Sequence, residues 1–220
     1  MMYENISDLL QQIALGEDSV LELKQQRSQA RLIRFDEQSV PQTLISTLNP
    51  KLWQQFKTVL SPQADQEFLE KMKLITLDED GVMRATVSGV LMASDNPELF
   101  ITNAYIQAVC YRGTERNAAY QLDAKDITGP LDIQIRDACK FVERNTRVYA
   151  IKAPYRIDIP QFSMNAVFEA IVNAVAHRDY SIYGSKIRVH IFADRLEILA
   201  PRYFEWVRAG KVNSNLLPIK

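Results

Sequence analysis

The chain has 220 residues, 47% of them apolar and 24% charged, with a formal net charge of −1, which excludes a disordered or collagen-like chain. It contains no run of about 18 uncharged apolar residues to span a membrane, and its acidic start, Met1-Met2-Tyr3-Glu4-Asn5, lacks a secretory pattern. Cys110 and Cys139 sit apart with no CxxC, so the expectation is a reduced, cytoplasmic protein without a disulfide framework.

From the N-terminus, Ser7 can cap a short helix bearing Leu9, Leu10 and Ile13, which Gly16 ends. Residues 20–24 alternate weakly, as a strand does, and the polar basic stretch 24–31 reads as loop. A composition shift near Pro41 and Pro50 suggests a boundary. Residues 51–73 read as two helices, the first with Leu52, Trp53, Phe56, Val59 and Leu60, the second with Phe68, Leu69 and Met72. Residues 74–77 and 82–87 then flank Asp78-Glu79-Asp80-Gly81, which predicts a hairpin. Helices followed by a hairpin follow a winged-helix-like order. The second helix, however, carries Asp65, Glu67 and Glu70, the wrong charge for lying along phosphates.

Residues 104–111 are β-branched and aromatic enough for a buried strand. Gly129-Pro130-Leu131 opens a helix that keeps apolar spacing through Ile135, Ala138 and Val142 to about Asn145. Residues 147–153 and 155–159 read as strands split by Pro154. Residues 164–177 form a nearly all-apolar helix behind Ser163, interrupted only by Asn165, Glu169, Asn173 and His177. Four-residue steps put these on one drifting stripe. A helix apolar on most sides is buried, so the stripe faces either water or a polar cavity. In the second case Glu169 can take a proton from water and the Asn173 amide oxygen can ligate Mg²⁺. Residues 186–192 and 195–199 alternate cleanly and predict a hairpin burying Ile187, Val189 and Ile191. The fold class expected is therefore α+β: a small helical, winged-helix-like layer, then an α/β sandwich built around the 164–177 helix.

Several chemistries have no support. The seven glycines, at 16, 81, 89, 113, 129, 184 and 210, cannot spell GxGxxG or GxxxxGK[ST], so neither a dinucleotide fingerprint nor a P-loop is present. Two histidines without HExxH argue against catalytic zinc, and no GxSxG supports a serine hydrolase. Charge is uneven: residues 1–100 carry 9 basic and 15 acidic side chains, residues 101–220 carry 17 and 12. A weakly positive second half permits phosphate contact without requiring it.

The stretch Glu169-Ala-Ile-Val-Asn173-Ala-Val-Ala-His177-Arg178-Asp179-Tyr180-Ser181, followed by Ile191-Phe-Ala-Asp-Arg-Leu-Glu-Ile198, resembles transcriptional regulators of the Schlafen/AlbA type, whose C-terminal part is described as RecG-like. Thr86–Met92, Asn103–Ile106, Tyr111–Thr114 and Gly129–Leu131 agree in order, so the resemblance covers about residues 40–199. It implies a remnant of an AlbA-like nucleic-acid-binding module over 1–38, a helical and hairpin region over 39–98, and a GHKL ATPase-like domain over 99–220, incomplete at its C-terminus. It also implies that Glu169 is the general base and that Asn173 binds Mg²⁺ and nucleotide, with His177, Arg178 and Asp179 beside them in the motif. Departures weaken the cofactor expectation. The Asp-x-Gly-x-Gly turn is missing, and only Gly184 and Gly210 follow Asn173, so ATP and Mg²⁺ binding should be weak or lost. Three functions stay open: a nucleic-acid-associated transcriptional regulator, an Mg²⁺-dependent ATPase, and a non-catalytic or inert shortened family member. Expected partners are nucleic acid and, through a C-terminal tail with Phe204, Trp206, Leu216 and Leu217, a second copy of the chain; no membrane is expected.

Overall fold

The computed structural model describes residues 34–153, 155–182 and 184–201, and the backbone of 207–213. The helix, strand and loop expected before residue 33 fall outside the described residues, as do Phe204, Trp206, Leu216 and Leu217. The architecture is α+β, as expected, with a helical and hairpin layer followed by a two-layer sandwich.

In the first layer, the Asn49 side chain accepts the Lys51 backbone N–H at 3.0 Å and, with Pro50 at the first position, opens α1 (Pro50–Trp53). The first of the two expected helices is thus only four residues with a 3₁₀ turn behind it, and Val59 and Leu60 are exposed rather than part of a stripe. Helix α2 (Asp65–Lys71) buries Phe68 and Leu69. It stops where Lys73 takes φ +58° and the Leu74 N–H returns to the Leu69 carbonyl at 2.9 Å. The hairpin β1 (Ile75–Leu77) and β2 (Met83–Ala85) turns through Gly81 at φ +73°. An additional helix follows the hairpin directly, α3 (Val87–Ala93), capped by Thr86 on the Gly89 N–H at 2.9 Å. Around Pro41 the chain is tied to the hairpin: the Val40 N–H bonds the Ala85 carbonyl at 2.9 Å, and the buried Thr43 hydroxyl bridges Val40 and Ala85.

The sandwich is one mixed five-stranded sheet with two helices on one face; in spatial order its strands are β4 (Gln121–Ile127), β3 (Ile106–Tyr111), β7 (Ile187–Ile191), β8 (Arg195–Ala200) and β9 (Val207–Asn213). Only β3 and β7 run parallel, and the chain between β4 and β7 provides the crossover. That chain holds α4 (Leu131–Arg144), the hairpin β5 (Val148–Ala153) and β6 (Tyr155–Pro160), and α5 (Met164–Ala176). The core lies between sheet and helices. Ile106, Ala108, Ile187, Val189, Ile191, Leu196 and Ile198 meet Phe141 and Val142 of α4 and Val167, Ile171, Ala174 and Val175 of α5. The three buried positions expected on the 186–192 strand are therefore found there. Val87, Leu91 and Ala104, with Leu131 and Tyr180 packed against them, join the first layer to the sandwich.

Candidate functional site

Helix α5 places the residues that the motif singles out. Its sheet-facing side is Val167, Ile171, Ala174 and Val175, and the four polar residues take the opposite side. Asn165, Glu169, Asn173 and His177 are all exposed. Among the described residues the stripe therefore stands on the solvent side of the helix. The apolar character that suggested all-round burial extends to solvent instead: Phe168, beside Glu169, is 51% exposed. Ser163 stands at the N-cap position, but its side chain makes no capping bond. At the other end the His177 N–H closes the helix on the Asn173 carbonyl at 3.1 Å.

The residues after His177 are engaged in structure. Arg178 is buried at 6% exposure, and its guanidinium donates to the carbonyls of Asn103 at 2.5 Å and Ser185 at 2.9 Å. It lies 4.4 Å from the centre of the Tyr180 ring, while its Nε is buried without a partner. Burial lowers the Arg178 pKa from its usual value, opposed by the Tyr180 phenol and by Asp179. Burial also pushes the Tyr180 phenol up to about 12. The Asp179 carboxylate accepts both the backbone N–H and the hydroxyl of Ser181, at 2.9 and 2.5 Å, a local turn. Arg178 thus ties the strand entries at Asn103 and Ser185 together, and Asp179 shapes the loop between α5 and β7. Of the five motif residues, Glu169, Asn173 and His177 share the outer side of α5; Arg178 and Asp179 do not join them.

Among the described residues, little near that outer side would hold a triphosphate. Gly184 has the φ of +81° that a tight turn needs, but it is a single position. Among the described residues no group of three or more His, Cys, Asp or Glu side chains could hold a metal ion. No helix of the described residues is long and apolar enough to cross a membrane. Both cysteines are free thiols whose pKa values burial raises, so neither has the character of a nucleophile.

A second polar surface lies on the far side of the sheet, which α4 and α5 do not reach. Strand register assigns Gln107, Val109 and Tyr111 of β3 and Arg188 and His190 of β7 to that side. The loop 112–120 folds back over it, held by the Ala193 N–H on the Gly113 carbonyl at 3.1 Å and by Arg195 on the Thr114 carbonyl at 2.7 Å. From this loop Arg116 reaches the His190 Nδ1 at 2.9 Å and the Glu197 carboxylate at 3.9 Å. Because Nδ1 accepts from a guanidinium, His190 is neutral with its proton on Nε2. Burial lowers its pKa to about 4, helped by the positive Arg116 and Arg188 and opposed by Glu197. The expectation for residues 186–192 rests on their buried face and gives the opposite face no role. The signal was present there, as Arg188 and His190 at alternate positions.

No family model and no curated protein matches the chain. A solved structure, the DIP2311 protein from Corynebacterium diphtheriae, superposes with a TM-score of 0.51 at 18% identity, over 81% of this chain and 36% of that one. At that identity the likeness describes the fold alone, and the match takes in little more than a third of the longer structure.

Proposed function

We propose that this chain is a nucleic-acid-associated regulatory protein whose sandwich resembles an ATP-binding domain that has lost its catalytic site. The observation that carries this reading is the setting of Glu169 and Asn173. A general base and an Mg²⁺-binding amide need walls that exclude water and hold phosphates. Both residues stand instead on the exposed side of α5, and the described glycines offer no phosphate cradle. A domain of this kind serves as a scaffold or a weak sensor. The nucleic-acid side of the reading rests on the resemblance over residues 40–199 and on the excess of basic residues after residue 100.

A second reading, an Mg²⁺-dependent ATPase, has one observation in its favour. Glu169 and Asn173 lie one helical turn apart, and neither has a side-chain partner among the described residues, so both are free to engage a ligand. Two assays separate the readings. The scaffold reading expects the chain to retain nucleic acid on a filter at low salt and to release no phosphate from ATP with Mg²⁺. Phosphate release abolished by Glu169→Gln establishes the ATPase, and absence of nucleic-acid retention removes the regulator.

A further inference from the structure

The cleft on the helix-free side of the sheet has a volume of about 440 Å³, and Gln107, Tyr111, Arg116, Gln121, Arg188 and His190 line it with Val109. That is room for a small phosphorylated molecule. Two guanidiniums line it and no carboxylate does. The acidic groups nearby are already taken. Glu197 accepts from Arg195 at 2.8 Å, and Asp126 accepts from Gln107 at 3.2 Å. Arg116 is oriented by its bond to the His190 Nδ1 at 2.9 Å, with the Glu197 carboxylate 3.9 Å away.

Arg188 is different. Among the described residues it has no hydrogen-bond or ion-pair partner, although it is half-buried in the cleft. A guanidinium partly removed from water gains from an acceptor, and none of the described residues provides one. It sits two residues from His190 on one strand, about 7 Å along the same side, so Arg188 and the Arg116–His190 pair flank one space. His190 also lines that space, and Gln107 and Gln121 bring amide N–H groups to it. Paired guanidiniums with further N–H donors match a tetrahedral oxyanion, whose oxygens accept several bonds at once.

We propose that this cleft is a phosphate-binding site in which Arg188 is the recognition residue and Arg116, braced by His190 and Glu197, is the second clamp. The phosphate belongs either to a small phosphomonoester or to a nucleic-acid strand crossing the sheet. In the second case the cleft gives the proposed regulatory reading its contact point.

The test is a titration of the full chain with inorganic phosphate, adenosine 5′-monophosphate and a short oligothymidylate, followed by the NMR signals of the Arg188 guanidinium and the His190 ring. Chloride at matched ionic strength is the control. Saturable shifts from phosphate are expected, with affinity about tenfold weaker in Arg188→Gln, a loss of one charge-assisted contact. Thermal stability should be unchanged, because Arg188 has no partner among the described residues to lose. Arg116→Gln gives the independent second loss. Tighter binding of the oligonucleotide than of the monoester, lost in Arg188→Gln, makes nucleic acid the source; equal or weaker binding makes it a small molecule. No saturable shift, or equal binding by wild type and Arg188→Gln, overturns the site. Oligonucleotide binding that survives Arg188→Gln overturns the cleft and leaves the regulatory reading standing.

Discussion

Replacing Arg178 by methionine keeps the side chain's length and apolar stem and removes its donors, which makes it a direct test of what the residue after His177 does. In the structure the guanidinium serves two backbone carbonyls and covers the Tyr180 ring. A hydrogen bond from a charged donor contributes about 1.5–3 kcal/mol, and a partly buried cation–π contact about 1 kcal/mol. Against this stands the buried, unpartnered Nε, whose removal returns about 1 kcal/mol. With two such bonds the net expectation is a loss of about 3–6 kcal/mol. For a chain of this size that lowers Tm by roughly 6–24 °C. Arg178→Lys should fall between, since one ammonium cannot match a planar fork to two carbonyls. Urea unfolding of the ligand-free protein is the assay. If Arg178 were instead held ready for a ligand, removing a buried charge would leave stability unchanged or raise it. A methionine variant within about 0.5 kcal/mol of wild type refutes the structural role.

Three other substitutions or conditions follow from the same geometry. Gly89→Ala should destabilise by on the order of 3 kcal/mol, because a Cβ there would sit 2.0 Å from the Leu74 carbonyl oxygen; ordinary helix propensity predicts the opposite sign, and chemical denaturation decides between them. Stability should fall on acidification from pH 6.5 toward 4, by about 3 kcal/mol at most from His190, because its pKa drops from 6.5 in the unfolded chain to about 4 in the folded one. The contribution is complete above 6.5 and is lost as pH falls, since the unfolded state binds the proton first. His190→Gln should flatten this part of the curve, and parallel curves for the two proteins would contradict it. Glu169→Gln and Asn173→Ala, on an exposed helix side, should each shift stability by less than about 0.5 kcal/mol in thermal melts; larger losses would mean that the stripe is packed, not solvated.

The elements with clean periodicity were legible from the chain alone. Strands β3, β7 and β8 and helices α4 and α5 lie close to where alternation or helical spacing put them, because each buries one side against a single apolar core. Strand β4 gave no such signal. Its residues Asp123 and Lys125 face α4 as ion pairs, to Arg144 at 2.8 Å and Asp137 at 3.2 Å, so polar side chains occupy an edge where apolar ones were sought. Helix α3 was hidden because Val87, Val90 and Leu91 serve strand and helix patterns equally well over seven residues. The stripe on α5 was legible as a stripe; its direction was not. Direction depends on which side α4 and the sheet cover, a tertiary fact. The same holds for Arg178. Its place after the helix was visible, whereas its bond to Asn103, 75 positions earlier, was not.

Association with nucleic acid is read out by fluorescence anisotropy of a labelled oligonucleotide titrated with the full chain across a salt series. Saturable binding is expected, with dissociation constants of about 10⁻⁴–10⁻⁶ M and a log–log decline of affinity with salt. A flat anisotropy at low salt would contradict it.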